Sequence, residues 1–310
     1  MTTTDKHFFS PRYWPTWAGL GILYLISLLP YAMQIKLGTS TGNLMYRLFK
    51  KRRHITEVNI RLCFPEITPA EQQRLVRNIF QNNAIGMFET SMSWWQSDQF
   101  LSMPVTLKGK QYLDEALSHN KGVILLGAHF STLDMGGRLL ARFYAVNAMY
   151  RKHNNPLMDF VIKREREKHL AHTIERKNLR GVLKALRNNE IVWYAPDQDF
   201  GLKHSVYAPF FKVPAATITA TSRLVKLNNS PILMFTHHRC HDNSGYELEL
   251  FPIIEGFPCG DDTQDATRIN QELEKGILKD PGQYMWVHRR FKTHPEGKNY
   301  VYRHLPLGHK

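Results

Sequence analysis

Residues 122–138 read GVILLGAHFSTLDMGGR, and the way this stretch divides decides the fold. Val123 to Leu126 make an apolar run of strand length. Ser131 stands where it can cap a following helix, whose first turn then holds Asp134. A buried strand running through a short turn into a helix is the opening of an α/β unit.

The alternation continues outward from this stretch. NAMYR (147–151) and EIVWYAP (190–196) read as strands, and segments beginning near Met135, Pro156 and Leu179 read as helices. Further on, SPILMFTHHR (230–239), YELELFP (246–252) and YMWVHRRF (284–291) read as strands, with helical patterns around 215–227 and 264–279. The polar HDNSG at 241–245 reads as a hairpin turn. Upstream, Thr68, Pro69 and Glu71 form a capping-box start. Leu75, Ile79, Met87 and Trp94 follow at helical separations, as core or as the lining of a hydrocarbon groove. The expected fold is α/β, with a mixed or largely parallel central sheet flanked by helices.

With 310 residues and 43% apolar content the chain can bury a sizeable core. Lys and Arg number 41 against 27 acids, a net charge of +14. That excess suits an anionic partner such as nucleic acid or a negatively charged membrane and its lipids. Three scattered cysteines, Cys63, Cys240 and Cys259, supply neither a disulfide framework nor a paired metal motif.

From Tyr13 to Ile35 no residue is charged, and basic residues crowd the stretch after it: Lys36, Arg47 and Lys50 to Arg53 precede the first acid, Glu57. The run is long enough to cross a bilayer, and the basic flank would keep the larger part of the chain on the cytoplasmic side. Residues 1–35 are therefore expected as a transmembrane or membrane-embedded anchor, and 36–310 as a cytosolic-facing domain. A buried core helix or one lying in the membrane plane is the other reading, and Pro30 would end or kink either.

His129 and Asp134 pose the chemical question. Inside one regular helix five positions turn by about 140° net, so the two side chains would not face each other. They meet only if His129 lies on the strand-to-helix turn, at the carboxyl edge of the sheet where α/β ligand sites form. An acid on one ring nitrogen would then fix the tautomer and leave the other nitrogen as a base. Spacing alone leaves capping and catalysis both open.

The His-x4-Asp block at 129–134 resembles that of the glycerolipid acyltransferase superfamily. RYWPTWAGLGILYLISLLP, LCFPE, YRKHNNPLMD, VWYAPDQDFG and QYMWVHRRFK are similar to blocks of the bacterial late acyltransferases of lipid A biosynthesis, and most resemble the Kdo-dependent lauroyl or palmitoleoyl transferases. The likeness runs from about Pro11 to Pro295. One departure is Asp134, where the lauroyl type usually carries Glu; Asp keeps the charge with one methylene less of reach.

The resemblance implies an inner-membrane enzyme, single-pass or tightly associated, with its active site facing the cytoplasm. It implies transfer of an acyl chain from an acyl carrier protein thioester to a hydroxyl on the hydroxyacyl chains of Kdo2-lipid IVA, beside anionic membrane lipids. His129 is then the expected base and Asp134 its partner. Arg151 and Arg166 are candidates for phosphate or oxyanion contact. Asp197 and Asp199 are candidates for organising the acceptor or the active site, and Arg289 and Arg290 for holding the acceptor's phosphates. Neither a metal nor a cofactor is expected, since adjacent His237 and His238 in a strand point oppositely. Acyl transfer to glycerol phosphate or another phospholipid, and lipid binding without catalysis, are the competing functions. Nucleic-acid binding lacks any recognised basic module.

Overall fold

The computed structural model describes residues 8–99 and 101–305. Four helices come first: α1 (Trp14–Ser27), α2 (Tyr31–Leu48), α3 (Lys50–Cys63) and α4 (Pro69–Trp95). An alternating stretch follows with β1 (Val105–Lys108), α5 (Lys110–Ser118), β2 (Val123–Leu126), α6 (Leu133–Leu140), β3 (Val146–Tyr150) and α7 (Pro156–Arg166). It continues through β4 (His172–Glu175), α8 (Leu179–Arg187), β5 (Ile191–Tyr194), β6 (Ser205–Phe210), β7 (Val213–Ile218) and α9 (Ala220–Asn228). The chain closes with β8 (Ile232–Arg239), β9 (Tyr246–Ile253), α10 (Asp262–Lys279) and α11 (Tyr300–His304).

Seven strands form one sheet in the order β1-β9-β8-β2-β5-β3-β4, and β6 and β7 pair separately. β8, β2, β5, β3 and β4 run parallel, while β9 returns antiparallel to β8 through the 241–245 turn. β1 lies parallel to β9, so the sheet is mixed. Both faces are covered, which explains the unbroken apolar run in β2. Ile124 and Leu126 join the core built on α3, α4, α8, α9 and α10. Val123 and Leu125 join the one built on α5 and α6.

The sequence expectations meet this architecture unevenly. The Thr68–Glu71 capping box forms as expected. The helical pattern at 215–227 begins as strand, because β7 occupies its first residues, and is helix from Ala220 on. YMWVHRRF is not a strand; only one antiparallel bridge, Phe130 to Tyr284, forms there. Ser131 does not cap α6, whose cap position is Thr132 and carries no side-chain cap bond. The Thr132 hydroxyl is committed to His237 instead.

The expected transmembrane helix is absent. The uncharged run from Tyr13 to Ile35 is divided at Leu28–Pro30 into α1 and the start of α2. With 14 residues α1 spans about 21 Å, short of the roughly 30 Å hydrocarbon layer. Among the described residues no helix is long and apolar enough to cross a membrane. This overturns the expected single-pass topology and the localisation that rested on it. Pro30 lacks the N–H that would continue α1. The carbonyls at the break are taken up by side chains: Gln34 Nε2 donates to Ser27 O (3.2 Å) and Leu29 O (2.8 Å), and Gln96 Nε2 donates to Ser27 O (2.9 Å).

Both halves pack on the helices and strands that follow. Tyr13 and Leu20 are buried with Trp94, Leu157 and Val161. α2 lies so close to α4 that a Cβ on Gly42 would stand 2.4 Å from Gln81 Cα. The boundary expected between residues 35 and 36 falls inside α2. The first seven residues of the expected anchor lie outside the described residues.

Candidate active site

β2 and β5 are adjacent parallel strands, so the turns leaving their carboxyl ends lie side by side. The first turn carries His129 and the second Asp197. His129 Nδ1 donates to Asp197 Oδ1 at 2.6 Å, and the backbone N–H of His129 donates to Oδ2 at 3.0 Å. A carboxylate only accepts, so the shared proton sits on Nδ1, and in the neutral ring Nε2 keeps its lone pair. Among the described residues Nε2 has no hydrogen-bond partner, and the side chain is 24% exposed.

A third group closes this network. Tyr284 Oη donates to Asp197 Oδ2 at 3.0 Å. The same segment pins the His129 turn, because Met285 N donates to His129 O (2.9 Å) and Ser131 N to Gln283 O (2.7 Å). Behind it, Asn59 Nδ2 on α3 donates to Trp286 O and His288 O, both at 2.7 Å.

The electrostatics follow from this geometry. Burial alone would raise the pKa of Asp197, but the His129 charge and the bonds from His129 and Tyr284 outweigh it and hold the carboxyl at about 2. For His129 burial works against the charged ring, yet the attraction and hydrogen bond of Asp197 prevail and raise its pKa. Burial, and beyond it the nearby His129, lowers the pKa of His288.

Asp134 does not meet the imidazole as its hydrogen-bond partner. It binds Arg166 from α7 in a bidentate pair, with Nε to Oδ1 at 2.6 Å and Nη2 to Oδ2 at 3.1 Å, and Trp94 Nε1 donates to Oδ1 at 3.3 Å. The pair stands where two cavities meet. One is a largely apolar pocket lined by Trp94, Leu140, Val146, Met149, Trp193 and Phe235. The other is an open groove of about 1100 Å³ lined by Met45, Phe49, Met87, Phe130, Val287 and His288. Leu133 and Asp134 border both. The His129 ring is 6.4 Å from that of Trp193, which lines the first, and 6.1 Å from that of His288, which lines the second.

The remaining candidates divide by burial. Arg151 is exposed at the carboxyl end of β3, the edge of the sheet that carries His129, and its guanidinium donates to Asn154 Oδ1. Asp199 is turned to the protein: it accepts from Gly201 N, Thr293 N and Thr293 Oγ1, tying its loop to the 284–294 segment. Arg289 is half-buried and donates to Asn299 Oδ1 at 3.0 Å. Arg290 is 2% exposed and donates to Ala216 O, Thr217 Oγ1 and Asn270 Oδ1, which fastens β7 to α10. Tyr284, buried and uncharged, gave no sign in the sequence beyond its place in an apolar run.

A strand-edge histidine held by a buried carboxylate, with a largely apolar pocket nearby, is an arrangement that can serve as a general base. The family model for bacterial lipid A biosynthesis acyltransferases matches residues 1–293, and the chain belongs to that family. It is 40% identical to the lipid A biosynthesis palmitoleoyltransferase of Escherichia coli (strain K12), covering 96% of this chain and 97% of that one. It is 38% identical to the lauroyltransferase of the same organism, over 93% and 94% of the two chains. The myristoyltransferase of that organism is more distant, at 27% identity over 98% and 94%.

Proposed function

We propose that the chain transfers a fatty acyl group from an acyl carrier protein thioester to a hydroxyl on the hydroxyacyl chains of Kdo2-lipid IVA. The observation that carries this reading is the His129–Asp197–Tyr284 network, which fixes the ring by Nδ1 and leaves Nε2 for the acceptor hydroxyl. Nε2 takes the hydroxyl proton as the oxygen attacks the thioester carbonyl. The C–S bond then breaks, and the carrier thiolate recovers that proton from the imidazolium. Asp197 stabilises the ring while it is charged.

Direct transfer needs no acyl-enzyme. Cys63 is buried with its thiol pKa pushed up, and neither Cys240 nor Cys259 borders the cavities around His129. The pocket beside Trp94 and Trp193 suits the donor chain, since its apolar lining favours a hydrocarbon. The open groove suits the acceptor, with Arg52 on its border for a phosphate. Asp134 and Arg166 form the charged divide where donor carbonyl and acceptor hydroxyl meet. Arg151, Arg289 and the basic α3 supply positive charge for the phosphorylated acceptor.

The test is acyl addition by the full chain in detergent, with carrier protein thioesters and Kdo2-lipid IVA, followed by product mass. Addition by the wild type and its loss in folded His129→Ala supports the reading. No addition by folded wild type, or faster turnover with glycerol phosphate, overturns it.

A further inference from the structure

Charge is unevenly distributed along the middle of the chain. From Arg151 to His204 every Asp and Glu is buried or half-buried, whereas every Lys and Arg except Arg166 is exposed. Lys163, Arg164 and Lys168 pair with Glu165 or Glu167. Arg176 and Lys177 follow β4, Arg180 stands in the first turn of α8, and Lys203 lies in the loop after β5. These four are exposed, and none forms an ion pair among the described residues. The loops that carry them meet at the carboxyl edge of the sheet. Arg176 N donates to Tyr150 O at the end of β3 (2.9 Å), and the Arg176 guanidinium lies 5.8 Å from the centre of the Phe200 ring. Leu179, Phe200 and Leu202 are exposed in the same loops.

We propose that this basic rim is the docking surface for the protein that carries the acyl donor, and that it receives an acidic face of that protein. This rests on the reading of the pocket beside Trp94 and Trp193 as the acyl site. The pocket is lined by Asp134 in the first turn of α6 and by Leu140 at its end, so it runs from the carboxyl edge of the sheet along α6. A chain lying in it with its carbonyl near His129 and Asp134 leaves the thioester sulfur at that edge, where the carrier has to stand. The groove read as the acceptor's lies on the α2–α4 side, beside Met45, Phe49 and Met87. The β3–β4 side is left for the donor. There Met149 of the pocket wall precedes Tyr150, whose carbonyl holds the Arg176 loop. Cations with no acid beside them steer an acidic face into place, and the exposed apolar side chains add contact area once it has docked. A lipid surface would call for a broader apolar face than Leu179, Phe200 and Leu202 offer.

The experiment compares the full chain in detergent with the triple variant Arg176→Glu, Lys177→Glu, Arg180→Glu, and with the milder Lys177→Ala, Arg180→Ala. Melting temperatures establish that each is folded. The expected result for charge reversal is a KM for the carrier protein thioester that rises about tenfold or more at low salt, with kcat at saturation and the KM for the acceptor unchanged. The alanine variant shifts the same constant in the same direction by less. Added salt weakens the wild type toward the variants, since exposed charges are screened over about 10 Å at 0.1 M. Calorimetric titration with carrier protein bearing no acyl chain gives a readout independent of turnover, and its Kd should rise with the KM. Equal KM and equal carrier binding in wild type and folded triple variant overturn the inference and leave the transfer reading intact. If wild type transfers no acyl group but binds the carrier, and the triple variant loses that binding, the docking surface stands and the transfer reading fails. Wild type that does not bind the carrier overturns the inference. So does a triple variant that keeps the carrier but no longer binds vesicles of anionic phospholipid, which assigns the rim to a membrane.

Discussion

Asp197 holds His129 at two points, with Oδ1 on the ring Nδ1–H at 2.6 Å and Oδ2 on the backbone N–H at 3.0 Å. One carboxylate thus fixes both the tautomer of the ring and the turn that carries it. In the proposed mechanism activity requires Nε2 unprotonated, and Asp197 raises the pKa of the ring. The acid limb of kcat/KM is therefore expected above the value of about 6.5 ordinary for histidine. In Asp197→Asn the attraction disappears while burial and Arg166 still oppose the charge, so the limb moves to lower pH. The rate falls as well, on the order of 10²–10⁴-fold from a misdirected ring. Profiles between pH 5 and 9 check this, and an unmoved limb would count against the pairing. Stability carries its own signature: the depressed Asp197 contributes fully above about 3.8 and loses that contribution as pH falls toward about 2. The raised His129 contributes below about 6.5 and loses its share as pH rises through its folded pKa.

Tyr284 reaches the base only through Asp197. In Tyr284→Phe, Asp197 loses one hydrogen bond to its charged form, a loss of roughly 1.5–3 kcal/mol. Urea denaturation at pH 7 should show a loss of that order. The Asp197 carboxyl, with one lowering bond removed, should titrate at higher pH. Turnover is expected to drop about tenfold or more through looser orientation of the ring. Full activity together with full stability would show that the tyrosine only fills space.

How much of this could be read beforehand depends on the range of each interaction. β2, β5, β8 and the 241–245 turn were legible because their signals are local: apolar runs, and turn residues at a hairpin. The partner of His129 was not, because its choice depends on β5 lying beside β2 in parallel, a long-range pairing that no local spacing encodes. Asp134 was conspicuous at five residues' distance, yet α6 aims it at Arg166. The 284–291 segment looked like a strand because its alternation is real; Asn59 and Arg52 on α3 take up its carbonyls in place of a neighbouring strand. The uncharged N-terminal run had the composition of a membrane span, and Pro30 with Gln34 and Gln96 divided it.

Asp134 and Arg166 make a bidentate, largely buried pair, with side chains 11% and 22% exposed. Their joint contribution is best read by a double-mutant cycle of Asp134→Asn, Arg166→Gln and the double variant. A coupling energy of about 1–3 kcal/mol in thermal or urea unfolding is expected. If the pair also shapes the divide between the cavities, each single variant loses kcat/KM beyond what its folded fraction explains. Additive stabilities would mean that the bidentate contact contributes nothing in solution.

Glu89 on α4 tests whether the divided N-terminal run belongs to the folded domain. Its Oε1 accepts from Tyr246 Oη of β9 at 2.6 Å, Arg239 Nη1 of β8 at 3.0 Å and Tyr31 Oη of α2 at 3.4 Å. Arg239 also reaches Asn82 and Asn243. Glu89 and Arg239 are 1% and 5% exposed, so Glu89→Ala leaves a buried guanidinium without its counter-charge. The expected cost is about 3–5 kcal/mol. Replacing both groups, Glu89→Leu with Arg239→Met, should cost less than Glu89→Ala, since no unpaired charge remains. Tyr31→Phe, which removes one weak contact from the first turn of α2, should cost about 1 kcal/mol or less. Unfolding monitored by far-UV circular dichroism gives all three values. A single cooperative transition that shifts in Glu89→Ala shows the N-terminal helices melting with the sheet, whereas an early separate transition in wild type would show them to be an appendage.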